Sequence, residues 1–149
     1  MSLKDQIATQ LKDAMRAKDK VKLESLRSIK SAILLEQSNK GAGSELNEDE
    51  EMKILIKLQK QRKDSMDIYL EQNREDLAAE ERAQLEVIET FLPKAMSEEE
   101  LESALKEIIA TVGATSAQDF GKVMGKASKD LAGKADGKTI SAKLKSLLS

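Results

Sequence analysis

Histidine and cysteine are both absent from this chain of 149 residues. Without His it lacks the side chain most often used as a near-neutral general base and metal ligand. Without Cys it has no thiolate nucleophile, no zinc knuckle and no disulfide. Aromatic residues are nearly missing as well: Tyr69, Phe91 and Phe120 are the full set. That argues against the stacking platforms that hold single-stranded nucleic acid. No run of about 18 apolar residues occurs, so no membrane span is expected. The start, Met1-Ser-Leu-Lys-Asp-Gln, lacks the apolar core of a signal peptide. A soluble, cytoplasmic protein without a membrane role is the expectation from these absences.

What is present is helical periodicity, nearly throughout. Leu3, Ile7, Leu11, Ala14 and Met15 follow helical spacing, as do Leu26, Ile29 and Ile33 after a break near Asp19. Lys40-Gly-Ala-Gly-Ser-Glu reads as a loop. A long helix is expected from about Asn47 towards Asn73, its first turn rich in acid (Glu48 to Glu51), which suits the helix dipole. A fourth carries Leu77, Leu85, Ile88, Phe91 and Leu92 and stops at Pro93, the single proline. Ser97-Glu-Glu-Glu100 is a capping-box sequence that opens the next helix. Its stripe is Leu101, Ala104, Leu105, Ile108, Ile109 and Val112, with Gly113 as the stop. Thr115 or Ser116 caps a helix through Leu131, and Asp136 a last one bearing Ile140, Leu144, Leu147 and Leu148. The chain is therefore expected to be all-α. An N-terminal helical domain over 1–93 precedes a small three-helix domain over 97–149.

Three motifs invite catalytic readings. Ala132-Gly-Lys-Ala-Asp-Gly-Lys-Thr139 fits a loose phosphate-loop pattern. That chemistry needs a preceding strand, and here a helix precedes. Ser103 and Lys106 have the spacing of a Ser–Lys pair but fall off the apolar stripe, where the amine stays solvated. The acid clusters Glu48–Glu51 and Glu98–Glu100 lack the alternating oxygen ligands of a calcium loop. No catalytic residue, metal or cofactor is assigned. On the third helix Gln59 and Arg62 interrupt an apolar stripe of Met52, Leu55, Ile56, Met66, Tyr69 and Leu70. Three readings stay open for them: a snorkelling Arg, a recognition patch, or a buried network with Glu86 or Glu89.

The strongest functional signal lies at the carboxyl end. Residues 113–149 hold seven Lys against three Asp, a net charge of +4 in a chain of net −2. Lys122, Lys126 and Lys129 recur at i, i+4 and i+7, making a basic ridge on one helix face. Lys134 and Lys138 flank the next turn, and Lys143 lies one turn into the last helix. Gly121 and Gly125 sit beside the ridge, one turn apart. Each costs a helix roughly 0.5–1 kcal/mol relative to Ala, so a close backbone approach is expected there. The approaching group is either a neighbouring helix or a phosphate backbone. Five acids between Glu98 and Glu107 return residues 97–149 to neutrality, so an ordinary solvated face is the competing account of the ridge.

Gly121-Lys-Val-Met-Gly125 followed by Leu131-Ala-Gly-Lys-Ala-Asp-Gly-Lys138 resembles the GatB/YqeY family. Leu26-Arg-Ser-Ile-Lys30, Gln61-Arg-Lys-Asp-Ser65, Arg74-Glu-Asp-Leu-Ala78 and Phe91-Leu-Pro93 resemble it too, in order and over essentially the whole chain. The chain looks like a freestanding, YqeY-like member. It departs from many relatives at Lys126-Ala-Ser-Lys-Asp130, which is more charged, and at Asn73, where Gly is common. The resemblance implies kinship with the tail domain of the GatB component of the glutamine-dependent aspartyl/glutamyl-tRNA amidotransferase. It implies a tRNA-binding accessory module, with RNA backbone near Gly121, Gly125, Lys122, Lys126, Lys129, Lys134, Lys138 and Lys143, and no DNA. The family-level activity, carbon–nitrogen ligation with glutamine as amido donor, then belongs to a complex with an amidotransferase or tRNA-processing partner. The alternative is a helical protein–protein interaction module with no RNA role.

Overall fold

The computed structural model describes residues 2–149. Every regular element among them is helical. Contacts divide the chain after Leu92 into two compact units, each with its own core.

In the first unit, α1 spans Leu3–Ala17, α2 Lys20–Lys40, α3 Glu48–Glu71 and α4 Glu75–Glu89. Local chemistry sets most of these ends. Ser2 and Asp5 form a reciprocal capping box at α1, and Asn47 and Glu50 form another at α3. The Asp19 carboxylate accepts from the Lys22 amide (3.1 Å) to start α2. Between α1 and α2 the chain reverses through Lys18, whose φ is 55°. After α3 it reverses through Asn73, whose φ is 57°. The left-handed conformation favours Gly and, next, Asn, which accounts for Asn at this turn.

Leu3, Ile7, Ala14, Leu26, Ile29, Ile33, Ile54, Leu55, Leu58 and Ile88 form the buried core, with Phe91 and Leu92 packed against it. Two sequence expectations are corrected here. Met15 is 53% exposed, because it stands on the flank of α1 rather than on the Ile7–Ala14 face. On α3 the buried stripe runs through Ile54, Leu55 and Leu58, while Leu70 is exposed. The α3 face is rotated from the expected one because α4 lies along it, and these two helices make the most extensive helix pair in the unit.

In the second unit, α5 spans Glu98–Val112, α6 Phe120–Asp130 and α7 Gly137–Leu148, with a one-turn 3-10 helix at Ala117–Asp119. Ser97 Oγ accepts from the Glu100 amide at 3.1 Å. Gly113 ends α5 at φ 77°. Ser116 caps the 3-10 turn that leads into α6, and Asp136 accepts from the Thr139 amide at 2.7 Å to open α7. Leu101, Leu105, Ile108, Val123, Ala127, Leu131, Ile140 and Leu144 are buried together. Burying each large aliphatic side chain is worth about 1.5–3 kcal/mol. The Met96 amide donates to the Lys134 carbonyl (2.9 Å), tying the segment before α5 to the α6–α7 loop. That loop is the phosphate-loop look-alike. It follows a helix, and its Asp136 is used as a cap.

Candidate nucleic-acid interface

Burial of Val123, Ala127 and Leu131 fixes which way α6 faces, and the opposite side is forced outward. Lys122, Lys126 and Lys129 are exposed on that side. Along the axis they span about 10 Å, from a rise of roughly 1.5 Å per residue. Gly121 and Gly125 are also exposed, and Ser128 extends their row by three further positions. A row of small residues thus runs beside a row of lysines, each with i, i+4, i+7 spacing. Lys134 is exposed in the loop after α6 and Lys138 in the first turn of α7.

A Cβ placed at Gly121 or Gly125 would meet nothing within 4 Å. No helix of the second unit therefore packs against the two glycines, which leaves a phosphate backbone or a partner's helix as the group that could approach them. What they leave is bare helix backbone beside the cationic ridge.

The lysines are not equivalent. Lys126 pairs with Asp130 at 3.2 Å, both side chains remaining well exposed. Lys143 is drawn inward, to 23% side-chain exposure, between Glu98 (3.7 Å) and Glu102 (3.6 Å) of α5. Lys143, expected near RNA backbone, is thus engaged by two carboxylates, since α7 packs against α5. The ammonium groups of Lys143 and then Lys106 hold the Glu102 carboxyl below its ordinary range. Lys122, Lys129, Lys134 and Lys138 have no acidic partner among the described residues. Lys145 Nζ, on α7, lies 6.0 Å from the Phe120 ring centroid, at the outer reach of a cation–π contact. Sequence reasoning passed over Ser128 and Lys145. The repeat of i, i+4, i+7 in both rows would have found Ser128.

The Gln59/Arg62 feature resolves into a network across three helices. Arg62 Nη1 donates to Glu81 Oε2 (3.0 Å) and Gln84 Oε1 (3.2 Å) of α4. Gln84 Nε2 donates in turn to Glu24 Oε2 of α2 (3.3 Å). Gln59 Nε2 reaches Glu89 at 3.4 Å. The expected partners of Arg62, Glu86 and Glu89, are corrected to Glu81 and Gln84. Antiparallel packing sets Arg62, in the second half of α3, beside the first half of α4. Ser103 is exposed and Lys106 pairs with Glu102 at 3.4 Å, so the two do not form a nucleophile pair. Among the described residues no group of three or more acids is placed to hold a metal ion. Among the described residues no helix is long and apolar enough to cross a membrane.

A family model described as Yqey-like protein matches residues 4–148. Curated relatives carry the name "Altered inheritance of mitochondria protein 41, mitochondrial". The protein from Vanderwaltozyma polyspora is 40% identical over 82 residues, covering 55% of this chain and 44% of its own length. That from Lachancea thermotolerans is 32% identical over 101 residues, covering 66% and 54%. That from Clavispora lusitaniae is 33% identical over 135 residues, covering 88% and 77%. The chain thus spans about half the length of the first two. The cytoplasmic expectation is overturned by these names, which are those of mitochondrial proteins. Absence of a secretory core and of membrane spans never separated one aqueous compartment from another.

Proposed function

This chain belongs to the YqeY-like family, and on that premise we propose that it is an accessory module that holds folded RNA, tRNA in particular, by its sugar–phosphate backbone. One observation carries the reading: exposed Lys122, Lys126 and Lys129 lie beside helix backbone that Gly121 and Gly125 leave uncovered. Lysine contacts to phosphate position a protein without reading bases. A glycine row lets the strand approach closer than any Cβ would permit. Folded RNA recognised by shape and backbone needs no aromatic platform, in keeping with a chain that has three aromatic residues. Lys134 and Lys138 extend the cationic path past the end of α6. Lys143, occupied by Glu98 and Glu102, contributes by holding α7 against α5.

Carbon–nitrogen ligation with glutamine as amido donor is assigned to a partner and not to this chain, which has no His or Cys to serve as base or nucleophile. The module's part would be to present tRNA to an amidotransferase-like enzyme.

Fluorescence anisotropy with labelled tRNA tests the reading. Affinity is expected to fall steeply between about 50 and 200 mM salt, with log K against log salt losing roughly one unit of slope per phosphate contact. Reversing Lys122, Lys126 and Lys134 together to Glu should abolish the binding. Binding that survives this reversal with its salt slope intact would remove RNA from this surface.

A further inference from the structure

Between α1 and α2 of the first unit lies a small groove, floored by the outer edges of two core residues. Its floor and walls are Ile7 and Ala8 of α1 and Ile33 and Leu34 of α2, with Lys4 and Lys30 at the rim, and it encloses about 150 Å³. Leu34 is 46% exposed there. Helical spacing continues both banks. On α1, Met15 lies seven positions beyond Ala8, and it is 53% exposed. On α2, Arg27 lies one turn before Lys30 and is exposed.

The lining runs from Lys4 to Ala8 on α1 and from Lys30 to Leu34 on α2, about 6 Å along each helix at roughly 1.5 Å per residue, and exposed Met15 stands two turns further along α1. Both charged groups that line it are positive, Lys4 and Lys30; Asp5 flanks them on α1, and the exposed cations Arg27 on α2 and Lys12 on α1 stand nearby. None of the four cations has an acidic partner among the described residues. Unit one nevertheless has a net charge of −3 over residues 1–92. The two lysines at the rim of an apolar floor are therefore a local arrangement set against the overall charge.

We propose that this groove docks an acidic amphipathic helix of a partner protein, its leucine-like side chains between exposed Ala8 and Leu34 and its carboxylates between Lys4 and Lys30. An apolar floor offers nothing to a phosphate backbone, so nucleic acid is the poorer occupant. The surface is concave between two helices, whereas a lipid bilayer takes a convex apolar ridge. A second copy of this chain has acid-rich helix starts at α3 and α5, but their apolar faces are buried in cores. Helix-in-groove recognition would seat one such apolar anchor here with carboxylates beside it.

The test uses the full isotopically labelled chain and a synthetic helix of about 14 residues, with leucines at i, i+4 and i+7 flanked by glutamates. Amide shifts should map to Lys4, Ala8, Lys30 and Leu34. Affinity should drop at least tenfold for Lys4→Glu/Lys30→Glu, and also for Ala8→Phe, an exposed position whose ring would occupy the groove. Circular dichroism verifies that each variant is folded. A scrambled peptide of the same composition should bind at least tenfold more weakly. The proposal fails if the scrambled peptide binds equally, if shifts map elsewhere, or if no peptide binds. It fails equally if phosphatidylglycerol vesicles or tRNA occupy this face in preference, or if Lys4→Glu/Lys30→Glu abolishes self-association. None of these outcomes depends on the lysines of α6.

Discussion

Gly121 and Gly125 stand inside α6 with open space where side chains would be, so the helix bears their cost without any packing in return. Alanine at either position is expected to raise stability by about 0.5–1 kcal/mol, read as a shift of the urea midpoint at unchanged slope. If phosphate meets this backbone, the same variants bind tRNA less tightly although they are more stable. A gain in stability with no loss of RNA affinity would leave the glycines without a role at the proposed interface. The spacing of these glycines and of Lys122, Lys126 and Lys129 was legible in the sequence because α6 is fixed by its own apolar face. The fate of Lys143 was not. Its partners Glu98 and Glu102 lie some forty residues back, and only the packing of α7 on α5 unites them. Nor was the emptiness beside the glycines, which is a property of what fails to pack there.

Helices were readable where their ends are coded locally, as Asp19, Asn47, Ser97 and Asp136 each accept from an amide three residues on. Register between helices was not, and the Arg62 network is the clearest case. With side-chain exposures of 27% and 15%, Arg62 and Glu81 are shielded enough for the pair to matter. Glu81→Ala is expected to destabilise by about 1–3 kcal/mol, because it strips a charged donor of its acceptor. A double-mutant cycle with Arg62→Ala should give a coupling of about 0.5–3 kcal/mol, and additive single losses would show the pair to be idle. The α2–α3 connection carries a pH-dependent tie. Lys40 Nζ donates to Glu50 (2.7 Å) and to the Glu45 carbonyl (2.9 Å). The Lys40 hydrogen bond, and next the Asn47 amide, hold the Glu50 carboxyl below its ordinary 4.5. A depressed folded value means that the stabilisation is present above 4.5 and is lost as pH falls through the folded pKa. The stability gap between wild type and Lys40→Met should therefore be flat near neutrality. It should narrow below pH 4.5 to what the Glu45 carbonyl contact supplies. A gap independent of pH would mean that Glu50 ionisation does not contribute.

At the scale of the whole chain, charge is distributed against the proposed function. Residues 1–92 carry a net charge of −3 and residues 93–149 a net charge of +1. Within the second unit the acids cluster on α5, while Lys122, Lys129, Lys134 and Lys138 lie on α6, in the loop after it and in the first turn of α7. A polyanion approaching α6 is attracted locally and repelled by the remainder, and the two effects differ in range. Contacts at the ridge act over a few ångströms, whereas repulsion from unit one is screened beyond about 10 Å at 0.1 M salt. The second unit holds a closed core of its own, and the isolated segment 93–149 should keep the helical circular dichroism of α5 to α7. At low ionic strength that segment is expected to bind tRNA a few-fold more tightly than the full chain. As salt approaches physiological strength the two affinities should converge, since only the longer-range repulsion is being screened out. Titration of both proteins against one labelled tRNA across a salt series decides it. Weaker binding by the segment at every salt concentration would show that residues of unit one contact the RNA directly, and that the α6 ridge is only part of the surface.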